Sequence, residues 1–184
     1  MIEIVEGDLM EQRVDVLVNA ANAALMGGGG VDGAIHRKGG PQILAECRAL
    51  RASRYQCGLP VGDAVATTAG RLAARWVVHT VGPVWSETED RSTLLAGCHR
   101  NALRVAAELG AETVALPAIS TGIYRWPLES AAGIAVGTVA GVLASDPGPI
   151  RLVRFVLRGE QAYQAFLAAA ARHSPPRCSG GSPG

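Results

Sequence analysis

Two spacings of apolar residues alternate along this chain. Short, nearly continuous apolar runs read as strands, and longer stretches with an apolar residue every three or four positions read as helices. Ile2, Ile4 and Val5 form a brief alternating strand that stops at Gly7-Asp8. Residues 14–18 are more continuously apolar, as in a strand covered on both faces, and Asn19 begins where that strand is expected to end. Residues 31–38 open a helix. Residues 41–50 open another, with Pro41 at its first position and Ile43, Leu44, Cys47 and Leu50 on one stripe. Residues 63–68 and 75–81 are strands, the second closed by Gly82-Pro83. A helix over 93–109 carries Leu94, Leu95, Leu103, Val105 and Leu109, with Gly110 where a C-terminal cap belongs. A short strand at 113–116, a helix from Pro127 to about Leu143, a strand at 152–157 and an alanine-rich helix at 161–172 complete the series.

Strands alternating with helices predict an α/β sandwich with helices on both faces of a mostly parallel sheet. In such sheets ligands sit at the carboxyl ends of strands. Two loops fall there: the segment around four consecutive glycines, Gly27 to Gly30, and the segment 117–124. They are expected to share one cleft.

The length of 184 residues suits one domain, placed at 1–172, with a disordered tail at 173–184. The formal net charge of +1, with scattered basic residues, gives no footprint for nucleic acid or an anionic membrane. The longest weakly apolar run, 133–144, is Gly-rich and reads as too short to span a bilayer. The N-terminus lacks the marks of a signal peptide, so a cytoplasmic protein, monomeric and with no membrane partner, is expected. Cys47, Cys57, Cys98 and Cys178 are widely spaced, fitting reduced thiols. A metal site built from Cys47, Cys57 and His36 matches no zinc spacing, and neither metal nor redox cofactor is called for.

The glycine loop is the chemical centre. A backbone without β-carbons lets a ligand lie against amide groups, and the start of the following helix adds free N–H groups and a positive dipole end, which suits phosphate. Asp32 and His36 lie inside this phosphate-friendly stretch, and Asn19 and Asn22 precede it with groups able to hold water or sugar hydroxyls. Each also has a plainer reading. Asp32 could complement the helix dipole, His36 could face solvent, Asp8 could be a turn residue, Tyr124 could be core, and His79 reads as a satisfied buried histidine. Gly28, Gly30 and Gly33 satisfy G-x-G-x-x-G, but the pattern does not directly follow a strand, which argues against a Rossmann site. Ser120 is not in a hydrolase elbow, because Ala118 stands where glycine is required.

Five stretches together resemble the macrodomain family: G-D-L at 7–9, V-N-A-A-N at 18–22, G-G-G-G-V-D-G-A-I-H at 27–36, V-V-H-T-V-G-P at 77–83 and P-A-I-S-T-G-I-Y at 117–124. The likeness is specifically to its MacroD-type branch of ADP-ribosyl hydrolases, over about residues 1–172. It implies a three-layer α/β/α fold around a six-stranded mixed, mostly parallel sheet, with ADP-ribose between the two loops. By the same resemblance Asp8 accepts from the adenine amino group beside the Leu9 amide. The amides of Gly28, Gly29, Gly30, Val31, Ser120, Thr121, Gly122, Ile123 and Tyr124 cradle the diphosphate. Asn22 holds the distal ribose, with the Tyr124 ring against it. Asp32 positions or activates the attacking water, with Asn19 and His36 in support. Arg158 stands where relatives tend to carry an aromatic that stacks on adenine; a guanidinium plane can stack there too. The activity implied is removal of mono-ADP-ribose from acidic side chains of proteins and deacetylation of O-acetyl-ADP-ribose. The alternative is a reader that binds ADP-ribose without turnover, and action on ADP-ribosylated nucleic-acid ends is weaker still.

Overall fold

The computed structural model describes residues 1–173 and contains six strands and five α-helices in the order expected from the apolar pattern. The strands are β1 (Ile2–Glu6), β2 (Val16–Ala21), β3 (Ala64–Thr68), β4 (Trp76–Val81), β5 (Thr113–Leu116) and β6 (Leu152–Leu157). The helices are α1 (Gly30–Gly39), α2 (Pro41–Ala52), α3 (Ser92–Glu108), α4 (Leu128–Ser145) and α5 (Glu160–His173), and a single 3₁₀ turn covers Leu9–Glu11. His173 still belongs to α5; residues 174–184, which hold the rest of the expected tail, lie outside the described residues.

One sheet runs in the order β1-β6-β5-β2-β4-β3. All neighbours are parallel except β3, which returns antiparallel along β4. Helices α1 and α2 cover one face, packing Ile35, Ile43 and Cys47 on Leu17, Val77 and Val81. Helices α3, α4 and α5 cover the other, packing Leu95, Ala102, Val136 and Phe166 on Val16, Val78 and Phe155. The three-layer α/β/α architecture is therefore complete.

Two expectations change. Strand β2 starts at Val16 and continues through Ala21, because its ladder with β4 runs on to the pair Ala21 with Val81. Asn19 is thus a strand residue with its side chain inside the α1 layer, not the first residue of a loop. The second concerns α4, which is 18 residues long with mean hydropathy 1.5, enough by length and composition to cross a bilayer. The weakly apolar run at 133–144 is only part of this helix, which begins at Leu128. In the fold the Ala131, Ala132, Ala135, Val136 and Val139 stripe packs into the core beneath α3 and α5.

The central strands are tied at their amino ends by Asp15, whose Oδ2 accepts from the Glu112 and Thr113 N–H groups and from the Thr113 hydroxyl. Burial pushes this carboxyl up, but those hydrogen bonds outweigh it and hold the group below its ordinary range. At the opposite ends β2 feeds α1 on one face while β5 feeds α4 on the other. Their loops therefore part at the centre of the sheet, the place where open α/β sheets form a ligand crevice.

Candidate active site

The crevice is lined by Ala20, Asn22, the glycine loop 28–30, Val31, Asp32, Gly82 and the second loop from Ala118 to Tyr124, apart from Thr121 and Arg125 onward. Thus Asn22, Gly28, Gly29, Gly30, Val31, Asp32, Ser120, Gly122, Ile123 and Tyr124 are brought together as expected. Thr121 turns away, its hydroxyl donating to the Ala118 carbonyl at 2.9 Å. Asp8, Leu9 and Arg158 lie outside this lining: Leu9 is buried, and Asp8 and Arg158 are exposed. Asp8 caps the 3₁₀ turn, its Oδ1 accepting from the Met10 N–H at 2.8 Å. Asp8 and Arg158 nonetheless share the carboxyl edge of the sheet, since Glu6 and Leu157 are register partners at the ends of β1 and β6.

The glycine loop takes its shape from close approach. A β-carbon on Gly33 would sit 2.4 Å from the Gly28 carbonyl oxygen, so the first turn of α1 packs on the loop only because Gly33 lacks a side chain. The helix is capped by Gly29 with no side-chain bond, which leaves its first-turn N–H groups to whatever occupies the crevice. Asn22 steadies the loop by donating from Nδ2 to the Gly27 carbonyl at 3.1 Å. On the loop's inner face, a β-carbon on Gly28 would lie 3.2 Å from Asp32 Oδ2 and 3.3 Å from Asn22 Nδ2, so both side chains reach that surface.

The second loop is strained at its apex. Ser120 adopts φ +67°, a left-handed conformation that costs a non-glycine residue on the order of 1 kcal/mol and recurs at functional sites. Its hydroxyl presses against Gly82, where a β-carbon would approach Oγ to 2.2 Å. Behind it Trp126 N–H donates to the Ser120 carbonyl and Trp85 N–H to the Tyr124 carbonyl, while the Trp85 and Trp126 rings meet edge to face at 5.1 Å. Ile123 is 90% exposed at the rim, a position that gains apolar contact only if something fills the crevice.

Asp32 is buried at the crevice floor. The Asn19 amide donates to its Oδ1 at 2.8 Å. His36, one turn along α1, places Nε2 3.4 Å from the same oxygen without hydrogen-bond alignment, and its ring packs 3.5 Å from a β-carbon position on Gly27. Sequence reading treated His79 as a satisfied buried histidine. It is buried and bonded, and one of its partners is Asn19. Desolvation lowers its pKa to about 3, with the His36 ring adding to the effect, so it is neutral at physiological pH. Cys47 lies beside it with its thiol pushed up to about 12 by burial, then by Asp32 and Glu46.

Buried polar atoms lacking a partner each need an explanation, and a bound ligand is one. Asn22 Oδ1 and Ser120 Oγ are two of them, on opposite walls of the crevice. A larger, shallower groove of about 780 Å³ lies against α3 and α4, between Arg104, Thr138 and Pro147, and contributes none. Among the described residues no group of His, Cys, Asp and Glu could hold a metal ion. The crevice therefore combines amide donors, a helix start and one fixed carboxylate. That set suits a diphosphate bound beside a bond to be hydrolysed.

The chain is similar to known proteins over most of its length. Residues 18–135 match the family described as Macro domain. A macro domain-containing protein of Streptomyces nogalater is 66% identical over 165 residues, covering 90% of this chain and 89% of its own length. An O-acetyl-ADP-ribose deacetylase of Cronobacter sakazakii is 52% identical over 166 residues, covering 90% of this chain and 91% of its own. The solved Oceanobacillus iheyensis macrodomain with ADP is 39% identical and superposes with a TM-score of 0.89, covering 93% of this chain and 90% of that one. With its sequence matched over most of its length and its fold shared, this chain belongs to the Macro domain family.

Proposed function

We propose that the crevice binds ADP-ribose and hydrolyses esters formed on its distal ribose, releasing acetate from O-acetyl-ADP-ribose and mono-ADP-ribose from acidic side chains of modified proteins. The observation that carries this reading is the Asp32 carboxylate, buried at the crevice floor and fixed by Asn19, where a purely binding site needs no acid. The glycine loop, the start of α1 and the second loop would hold the diphosphate through backbone donors, which explains binding of a dianion by a chain of near-neutral charge. The Asn22 and Ser120 oxygens are suited to accept from, or share protons with, ribose hydroxyls and bound water. Asp32 would orient the attacking water and take up its proton as the ester is cleaved. The named activity of the Cronobacter relative and the ADP held by the Oceanobacillus neighbour support the same assignment.

Incubation with O-acetyl-ADP-ribose and with a glutamate-linked mono-ADP-ribosylated protein, followed by chromatography of the released ADP-ribose, tests the proposal. The native chain should release product, and Asp32→Ala should lose on the order of 10²–10⁴ in rate, the usual worth of a positioned acid or base. Release no faster than the variant's would leave a non-catalytic ADP-ribose reader as the correct description.

A further inference from the structure

We propose that His79 and Thr67 are positioning residues for the Asp32 carboxylate, acting through the side-chain amide of Asn19. The inference rests on reading the crevice as a hydrolase site, and it comes from residues outside the crevice wall.

Sheet parity places them on one face. Asn19 and His79 are direct register partners on β2 and β4, and His79 in turn pairs with Val65, two residues from Thr67 on β3. Asn19 and His79 are fully buried and Thr67 nearly so, which prevents solvent from standing in for a lost partner. Asn19 Nδ2 lies 2.8 Å from Asp32 Oδ1 and 3.0 Å from His79 Nδ1. A carboxylate only accepts, so the nitrogen of the Asn19 amide must face it. The second hydrogen of that nitrogen then points at His79 Nδ1, which must be a bare acceptor. The imidazole proton is left on Nε2, 2.8 Å from Thr67 Oγ1, and the Thr67 hydroxyl proton goes to the Thr68 carbonyl at 3.0 Å.

Every donor in this series has an acceptor, and the series parts at the Asn19 amide nitrogen, donating to Asp32 on one side and, through His79 and Thr67, to the Thr68 carbonyl on the other. A proton moved to His79 Nδ1 would oppose the Asn19 N–H. Asn19 would then have to turn its oxygen toward Asp32, setting two acceptors 2.8 Å apart. The tautomer of His79 therefore fixes the rotamer of Asn19 and with it the donor on Asp32. Asn19 Oδ1 has no partner of its own, which fits an amide oriented for its neighbours' needs.

The test uses the full chain and compares native protein with Thr67→Val, which keeps the side-chain shape but removes the oxygen acceptor for Nε2–H and leaves only the weaker Cys47 sulfur at 3.8 Å, and with Thr67→Ser, which keeps the oxygen. Imidazole ¹⁵N resonances should show His79 as the Nε2–H tautomer in the native protein. In Thr67→Val the tautomer population should move toward Nδ1–H and the Asn19 side-chain amide resonance should shift. Turnover number should fall about 10- to 100-fold while ADP-ribose affinity stays within about twofold, the pattern of a misplaced group as opposed to a lost contact. Thr67→Ser should restore all three readouts. The proposal is overturned by a native Nδ1–H tautomer, which needs no variant to detect. It is also overturned by an unmoved Asn19 resonance in Thr67→Val, by equal losses of affinity and turnover, or by failure of serine to rescue. Were the native chain to turn over nothing, the hydrolase reading would fail on its own. The tautomer and the Asn19 resonance would then decide whether these residues hold Asp32.

Discussion

At the scale of single residues, the crevice depends on places where a side chain is missing as much as on those present. Gly82 is the sharpest case, because a β-carbon there would reach Ser120 Oγ at 2.2 Å and Ile119 Cγ2 at 2.8 Å. Ser120 already sits in a left-handed conformation, and the same β-carbon would crowd Ile119 beside it, so two consecutive residues of the second loop would have to give way. Gly82→Ala should therefore displace the second loop and weaken ADP-ribose by about 10-fold or more, equivalent to losing one hydrogen bond to a charged group. Calorimetric titration of the variant checks it; unchanged affinity would show that the second loop is not displaced by a side chain at position 82. Asp32 stood out in the sequence as an acid within a glycine-rich stretch suited to phosphate, with helix-dipole complement as the plainer reading, and the structure puts it in the crevice. The role of Asn19 was only half legible: its polarity was visible, but a loop position was assigned because β2 reads as ending before an asparagine. His79 was passed over because its relation to Asn19 depends on strand register, which no local pattern encodes.

At the scale of elements, α1 is held between the glycine loop and the turn linking β3 to β4. Its last residue, Gly39, accepts from Arg71 N–H at 2.8 Å, and a β-carbon on Gly70 would collide with the same Gly39 oxygen at 2.1 Å. Gly70 also has φ +57°. Gly110 makes an internal control, with φ +73° and nothing near its β-carbon position. Gly110→Ala should cost about 1–2 kcal/mol from backbone conformation alone. Gly70→Ala should cost about 2–4 kcal/mol, because the clash also breaks the Arg71 bond. Urea midpoints of the two variants compare them, and equal losses would mean that the α1 terminus is not seated on this turn. Most elements could be read from spacing because helices and buried strands differ so clearly in period. The antiparallel return of β3 follows from its link to β4, since the seven residues 69–75 are too few for the crossover that a parallel pair requires.

At the scale of the whole molecule, two histidines are held neutral in the interior. His79 has a pKa near 3, and His99, buried against Phe155 and donating to the Leu95 carbonyl, is lowered to about 4 by desolvation. In the unfolded chain both would titrate near 6.5, so between about pH 4 and 6.5 the unfolded state binds more protons than the native one. Stability should be level above about pH 7 and fall as pH drops through that window, with each histidine adding up to about 1.4 kcal/mol per pH unit. Asp15, held below its ordinary value, loses its contribution only at more acid pH. Chemical denaturation from pH 8 to 4.5 checks the slope, and His99→Leu should flatten it by about half. A native profile with no loss below pH 6.5 would contradict the burial of both rings.

The central claim is that backbone amides of two loops, with Asp32 beneath them, form a nucleotide-sugar site at the centre of the sheet. Titrating isotope-labelled protein with ADP-ribose and following backbone amide resonances tests it most directly. The amides of Gly28, Gly29, Gly30 and Val31 and of Ser120, Gly122 and Ile123 should shift together at one saturating stoichiometry, while Thr138 and Gly141 in the groove at α4 stay in place. Movement confined to that groove, with the two loops unmoved, would contradict the account.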